Sequence, residues 1–228
     1  MRTDYLIARQ DIRQIKVVKQ DSLPALSEGE VLVKVDEVAF TANNVTYAVA
    51  GEFLKYWKFF PTDEEGWGKL PMWGYGDVIE SSHSEIGIGE RLYGYWPLGS
   101  HLVLTPIKIT PYSLLDGVPN RQELNPVYNQ YTRVQAMPDF APEGEHLNSI
   151  MRPMFTTSFL VDDFLFDNDF FGAKMLVLSS ASSKTGYGTA FMHHKNRSER
   201  FEYEIVGLTS AGNVSFVEGL GCYDRVLA

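Results

Sequence analysis

The sequence predicts a mixed α/β fold in which a β-rich N-terminal part is followed by a parallel α/β part. Short apolar segments bounded by glycine and proline fill the first half. After residue 153, strand-like and helix-like segments alternate. With 228 residues, 44% of them hydrophobic and 21% charged, the chain is long enough to bury a sizeable core. We expect two domains, 1–150 and 151–228.

The first half contains β-branched segments typical of short strands. Such strands at this spacing suggest a small barrel or a sandwich. They are predicted at residues 30–38, 74–80, 89–95 and 101–104. The stretch 111–142 is interrupted repeatedly by proline, which excludes a long helix and predicts an irregular connection. Its aromatic part, 125–131, is interpreted as a structural connection, with a surface arm or a pocket wall as alternatives.

The second half predicts two helices placed between three strands. A further helix precedes them, because Phe155, Phe159 and Phe164 recur at helical spacing after Pro153. Strand, helix, strand, helix, strand is the order of a parallel α/β sheet. The predicted strands are 173–178, 204–208 and 224–228, and the predicted helices are 189–194 and 214–220.

A loop of small residues follows the first of these strands and predicts an anion site. Between a parallel strand and a helix, the backbone N–H groups and the positive helix end point at whatever lies above the strand. The pattern of a P-loop fails, because Leu178 and Ser183 stand where it needs glycine. The residues predicted to hold a pyrophosphate are Ser180, Ala181, Ser182, Ser183, Lys184, Thr185 and Gly186. The alternative is a serine-rich turn that binds nothing.

The end of the second strand favours NADP(H) over NAD. NAD-binding domains place a carboxylate there to accept from the ribose hydroxyls, and residues 208–213 contain none. The predicted 2′-phosphate contacts are Thr209, Ser210 and Asn213. Lys195, Arg197 and Arg225 are candidates for an additional positive charge.

Composition excludes several other classes. The net charge of −9 and a pI near 5.0 argue against a nucleic-acid binder. No apolar stretch long enough for a signal or a membrane span is present, so we expect a cytoplasmic protein without a membrane partner. The single cysteine excludes a multi-cysteine zinc module. His193, His194 and Asp162 are interpreted as solvated side chains.

Ordered motifs along nearly the whole chain resemble one known superfamily. They are 41–51 (TANNVTYAVAG), 73–76 (WGYG), 89–94 (GERLYG), 152–159 (RPMFTTSF) and 179–185 (SSASSKT). The chain is similar to the medium-chain dehydrogenase/reductases, and most of all to their DUF2855 branch. The resemblance implies a GroES-like β-barrel domain followed by a Rossmann domain.

The resemblance also implies a zinc-free reductase. Ala42 and Tyr75 stand where zinc alcohol dehydrogenases carry cysteine and histidine ligands, and neither side chain ligates zinc. In such enzymes the nicotinamide lies in a cleft near the segment 43–47. Tyr47, Asn44 and Tyr75 are therefore the predicted catalytic residues, with Tyr47 and Asn44 on the substrate oxygen. The implied function is hydride transfer from NADPH to a quinone, enone or carbonyl compound, a small-molecule substrate.

The resemblance finally implies a partial Rossmann domain. A complete one has about six strands, and this chain stops in the third, as expected of a fragment, a truncated form or a naturally shortened gene product. An open apolar sheet edge would favour association between copies of the chain. The alternative function is a nucleotide-binding or interaction module that kept the fold and lost turnover.

Overall fold

The computed structural model describes residues 1–138, 140–199 and 203–228. The chain separates into two compact units. Unit 1 is Met1–Ile150 and unit 2 is Met151–Ala228.

Unit 1 is built of antiparallel strands and one short helix. Its elements are β1 (Arg2–Ala8), β2 (Ile15–Gln20), β3 (Val31–Val38), α1 (Ala42–Val49), β4 (Trp67–Gly68), β5 (Pro71–Ser81), β6 (Arg91–Pro97), β7 (His101–Leu104), β8 (Pro106–Ile107), β9 (Ser113–Asp116) and β10 (Gln130–Arg133). A three-stranded sheet has the order β2-β1-β4 and a seven-stranded sheet the order β7-β3-β5-β6-β10-β9-β8. Single-turn 3-10 helices at Tyr56–Lys58, Pro119–Arg121, Pro126–Asn129, Val134–Ala136 and Pro142–Gly144 connect them.

The seven-stranded sheet buries the main apolar core of unit 1. Val31 and Val33 lie two positions apart along β3, so both side chains point to the same face of the sheet, and both are fully buried in this core. They meet Val78, Leu92 and Trp96 from β5 and β6. All four strands predicted in this half are confirmed. The strands β1 and β2 were not predicted, and the stretch 111–142 holds β9 and β10 in addition to turns.

Unit 2 is a parallel α/β layer, as predicted. The long helix α2 (Glu145–Asp167) leads into it, followed by β11 (Met175–Leu178), α3 (Lys184–Asn196), β12 (Glu204–Leu208), α4 (Val214–Gly219) and β13 (Arg225–Leu227). The strands pair in the order β11-β12-β13, both pairs parallel. Short 3-10 turns lie at Asp169–Gly172, Arg197–Glu199 and Ala211–Asn213. Together the two units confirm the predicted fold class, a GroES-like β domain followed by a Rossmann-type parallel sheet.

The helix α2 begins earlier than the sequence predicts. Pro153 lies inside it rather than before it. Proline inside a helix removes one backbone hydrogen bond, and contacts at the helix start offset that loss. Both carboxylate oxygens of Glu145 accept from Arg91, at 2.7 and 2.5 Å. The negative charge of Glu145 in the first turn also suits the helix dipole.

Two side chains interpreted as solvated are buried instead. His193 is fully buried and Asp162 is 2% exposed. The Nδ1 atom of His193 lies 2.9 Å from Asp162 Oδ1, while Asn196 donates to the other carboxylate oxygen at 2.9 Å. Since neighbouring helix residues point about 100° apart, His193 faces the core while His194 is exposed.

The strand β11 forms an edge of the parallel sheet. Among the described residues it pairs only with β12. Its side chains Met175 and Val177 are 44% and 49% exposed. Association of copies through this edge stays a prediction. Within the described ranges, no helix combines the length and the apolar character needed to cross a membrane.

Gly74 provides a test of the pairing between β3 and β5. A Cβ atom added there would lie 2.0 Å from the carbonyl oxygen of Glu37, which is backbone and cannot rotate away. We expect Gly74→Ala to lower the free energy of unfolding by about 2 kcal/mol or more, as measured by urea denaturation. Gly87→Ala is the matched control, because nothing lies within 4 Å of its added Cβ. Equal stability of the two variants would contradict the strand register.

Candidate functional site

The loop between β11 and α3 lies across the carboxyl end of the parallel sheet. Ala181 is fully buried, and its amide donates to the carbonyl of Leu208, at the end of β12, at 3.0 Å. The hydroxyl of Tyr223 donates to the carbonyl of Ala181 at 3.0 Å. Ser180 adopts a left-handed conformation with φ of 51°. These contacts fix the course of the loop on both sides of Ala181.

Several amides of this loop are engaged by the loop itself. The amide of Ser183 donates to Ser180 O at 2.8 Å, and the side chain of Ser183 caps α3 by accepting from the amide of Gly186 at 3.1 Å. Lys184 and Thr185 occupy the first two positions of α3, where no carbonyl of the same helix can accept from their amides. The amides of Ser182, Lys184 and Thr185 are therefore the donors that this loop can offer to an anion.

Glycines allow the loop and the helix to approach closely. An added Cβ at Gly186 would lie 2.7 Å from Ser180 O and 3.0 Å from Ser183 Oγ. At Gly188 it would lie 2.6 Å from the hydroxyl of Ser158 on α2. The structure shows a helix–loop approach at Gly186 and a helix–helix approach at Gly188.

Three of the predicted cofactor residues come together at one point. The hydroxyl of Ser182 accepts from Asn213 Nδ2 at 3.2 Å and from the hydroxyl of Thr209 at 3.4 Å. Thr209 and Asn213 follow β12, whereas Ser182 follows β11. Ser210 is exposed beside them and precedes the turn Ala211–Asn213. The carboxyl ends of two neighbouring strands thus present hydroxyl and amide groups side by side.

The cations suggested for a 2′-phosphate lie at the wrong end of the sheet. Arg197 pairs with both carboxylate oxygens of Asp224, at 2.8 and 2.6 Å. Arg225 pairs with Glu204 at 3.2 Å. Asp224 and Glu204 lie where their strands begin, opposite to the loop edge, and Lys195 lies in the last turn of α3. Lys184, at the other end of the same helix, is exposed beside the loop.

Asn44 is held by the fold of unit 1. It is 3% exposed. Its Oδ1 accepts from the amide of Thr41 at 2.7 Å, which caps the start of α1, and its Nδ2 donates to Pro71 O at 3.0 Å. The side chain thereby ties α1 to the start of β5. Its role on a substrate oxygen stays a prediction.

Tyr75 is a core residue of unit 1. It is fully buried and packs with Tyr93 and Val134. The guanidinium of Arg91 lies over its ring, 5.3 Å from the centroid. Its predicted catalytic role also stays a prediction.

Tyr47 belongs to a cluster of phenol rings. It stacks on Tyr56 with a centroid distance of 4.1 Å and meets the edge of Tyr95 at 6.5 Å. Tyr128 lies 4.9 Å from Tyr95 and 6.4 Å from Tyr56. We call Tyr47, Tyr56, Tyr95 and Tyr128 the phenol cluster. Phe59 is buried against it.

Three phenols of the cluster, Tyr47, Tyr56 and Tyr95, have raised pKa values. Burial raises the pKa of Tyr47, and the charge of Tyr128 adds to the effect. Burial also raises the pKa of Tyr56 and, well above its ordinary value, that of Tyr95. At neutral pH these phenols therefore retain their protons, which a substrate oxygen could accept.

Sequence reasoning missed four residues of these two sites. Tyr56, Tyr95 and Tyr128 come from separate segments, and no local pattern joins them to Tyr47. Tyr223, which fixes the loop through Ala181 O, lies 42 positions from its partner. The sequence marks Tyr223 only as an aromatic residue shortly before the third strand.

In the part of the chain that the structure describes, no three His, Cys, Asp or Glu side chains gather as a metal site requires. The side chains of Ala42 and Tyr75 offer no zinc ligand.

The chain belongs to the DUF2855 family, described as a protein of unknown function, whose model matches residues 38–228. A search of curated proteins found no match.

Solved structures share the fold. A candidate NADPH:quinone reductase from Mesorhizobium loti matches with a TM-score of 0.60 and 11% identity, over 99% of this chain and 59% of that chain. TarJ from S. aureus in complex with NADPH matches with a TM-score of 0.52 and 14% identity, over 99% of this chain and 58% of that one. CurA from Vibrio vulnificus in complex with NADPH matches with a TM-score of 0.52 and 13% identity, over 100% of this chain and 57% of that chain.

These likenesses confirm the predicted resemblance to medium-chain dehydrogenase/reductases at the level of the fold. The chain spans less than two thirds of the length of each of these structures.

The phenol cluster predicts a pH dependence of stability. A free tyrosine ionises near pH 10. The native pKa values of Tyr47, Tyr56 and Tyr95 are raised. The contribution of these protonated phenols to the free energy of unfolding is therefore complete below about pH 10 and is lost as the pH rises through the native pKa values. In a tyrosinate absorbance titration, we expect part of the 12 tyrosines to ionise only as the protein unfolds. The urea-denatured chain is the control. Ionisation of all native tyrosines together near pH 10 would contradict the burial of the cluster.

Proposed function

We propose that this chain acts in a zinc-independent, NADP(H)-dependent oxidoreductase that reduces a quinone, an enone or a carbonyl compound. The observation that carries the proposal is the loop at the carboxyl end of β11. There Ser182 contacts Thr209 and Asn213, at the edge where parallel α/β sheets bind nucleotides. The matched structures whose names include NADPH support the choice of cofactor.

The residues of the loop fit a pyrophosphate in their chemistry. The amides of Ser182, Lys184 and Thr185 are donors beside the positive end of α3. The ammonium group of Lys184 supplies a charge. The close approach at Gly186 keeps the loop folded over the helix start without a side chain between them. This donor set suits a doubly charged diphosphate.

The residues after β12 fit NADP(H) better than NAD. A carboxylate would repel a 2′-phosphate, and positions 209–213 carry hydroxyl and amide groups instead. Thr209, Ser210 and Asn213 would hold the 2′-phosphate through such donors.

The bound cofactor would supply a hydride, and Tyr47 would supply the proton. Its raised pKa keeps the phenol protonated at neutral pH, so it can donate to a substrate oxygen that becomes more basic during reduction. The neighbouring rings of the phenol cluster restrict the orientation of Tyr47. We assign Asn44 and Tyr75 supporting roles in this reaction through the positions of α1 and β5.

A second candidate is a nucleotide-binding module without turnover. The structural engagement of two predicted catalytic residues favours it. The amide of Asn44 is bonded within the fold, and Tyr75 is fully buried in the core of unit 1.

Cofactor binding is tested by titrating the chain with NADPH, NADH and ATP while its fluorescence is followed. We expect NADPH to bind most tightly. Lys184→Ala should weaken NADPH binding about five- to ten-fold, because it removes a charge next to the phosphates. Lys195→Ala is the matched control at the opposite end of the same helix. A preference for NADH or ATP, or equal effects of the two variants, would contradict the assignment of this loop.

Turnover separates the two candidates. With NADPH and a quinone or enone series, the reductase proposal predicts oxidation of NADPH that falls about 100-fold in Tyr47→Phe, with NADPH affinity unchanged. Tyr112→Phe, an exposed tyrosine outside the cluster, is the control. Tight NADPH binding without any oxidation would favour the module.

A further inference from the structure

A cavity lined by residues of unit 1 has a distinctly cationic wall. Its volume is about 240 Å³. Three cationic side chains, Arg2, Lys69 and Arg121, line it. Among the described residues that form its wall, none is acidic. A pocket with this charge pattern attracts anions.

Arg121 is the most buried of the three cationic side chains. It is 1% exposed. Its Nη2 pairs with the carboxylate of Asp116, and its Nη1 donates to the hydroxyl of Tyr131 at 3.2 Å. The ring of Phe60 covers the guanidinium at 4.9 Å. The remaining Nε–H group is buried, and no described residue accepts from it. A buried donor without an acceptor is unfavourable.

Arg2 and Lys69 share a single carboxylate oxygen. Arg2 Nη2 lies 3.0 Å and Lys69 Nζ 3.1 Å from Asp4 Oδ2. The Nε–H group of Arg2 is buried and likewise has no acceptor within the described ranges. Burial lowers the pKa of Lys69. The positive charge of Arg2 lowers it further, whereas the negative charge of Asp4 raises it. These groups retain donors that a further negative ligand can use.

The charge balance points to a ligand with one negative charge. Arg2, Lys69 and Arg121 face two buried carboxylates, Asp4 and Asp116. Both carboxylates are already engaged by these cations. Asp63 also acts on Lys69, but it is exposed and screened by water. One positive charge is left over in the buried set.

Apart from Asn120, the rest of the wall is apolar and includes Phe59, Phe60, Pro97 and Leu102. An inorganic ion would leave this surface without a partner, whereas an organic anion would cover it. We propose that this cavity binds a small organic carboxylate, whose oxygens accept from Arg2, Lys69 and Arg121 and whose apolar part packs on Phe59 and Phe60.

Isothermal titration of the full chain with benzoate, butyrate and inorganic phosphate tests the proposal. We expect saturable binding of at least one carboxylate with one site per chain, and weaker binding of phosphate. Lys69→Met keeps most of the side-chain volume and removes the charge, so carboxylate affinity should fall about ten-fold or more. Arg2→Gln should act in the same direction. Lys19→Met, on the exposed strand β2, is the control and should leave the affinity unchanged.

A second measurement needs no variant. In the intact protein, we expect the nitrogen-bound proton resonances of two buried arginine Nε–H groups to shift with the same saturation curve as the heat signal. No saturable carboxylate binding, tighter binding of phosphate, or equal affinity in Lys69→Met and Lys19→Met would overturn the proposal. So would titration curves that leave the buried arginine resonances unmoved. None of these outcomes depends on NADPH binding.

Discussion

The hydrogen bond between the amide of Ala181 and the carbonyl of Leu208 is the contact on which the loop between β11 and α3 depends. It joins the end of β11 to the end of β12 and sets the direction of the chain before α3. Ser182 then reaches Thr209 and Asn213, and the first amides of α3 have no acceptor within their own helix. The hydroxyl of Tyr223 holds the other side of the same peptide. A loop fixed at its centre offers preorganised donors, which bind an anion at less entropic cost than a mobile loop.

Unit 1 contributes chemistry of a different kind. Its phenol cluster collects aromatic side chains from α1, from β6 and from two connections, and burial keeps their protons in place. Its cationic cavity collects Arg2, Lys69 and Arg121 from equally distant segments. In both cases the sheets act as a frame that brings together groups with no relation in sequence. The same frame engages Asn44 through hydrogen bonds and Tyr75 through core packing. Their catalytic roles stay predictions.

Local patterns predicted the parallel half of the fold well and the antiparallel half in part. The strand at 173–178, the serine-rich loop and the strand at 204–208 all follow from apolar runs next to small residues. The strand β1 was missed because it begins with three polar residues, Arg2, Thr3 and Asp4. Its pairing with β2 and β4 is a tertiary contact that this local pattern does not reveal. The start of α2 was misplaced because Pro153 suggests a boundary, while the pairing of Glu145 with Arg91 extends the helix before it. His193 was misread because a histidine pair in sequence does not reveal which ring faces the core.

The sequence by itself determined the class of fold, the position of the serine-rich loop after β11 and the lack of a carboxylate after β12, because each of these depends on neighbouring residues. Tertiary structure decided which loop amides stay available, since the partners of Ala181 lie far away in the chain. It also decided that Arg197 and Arg225 lie at the opposite edge of the sheet. The phenol cluster and the cationic cavity exist only after folding, because their members are brought together by strand pairing across long separations, which no local pattern encodes.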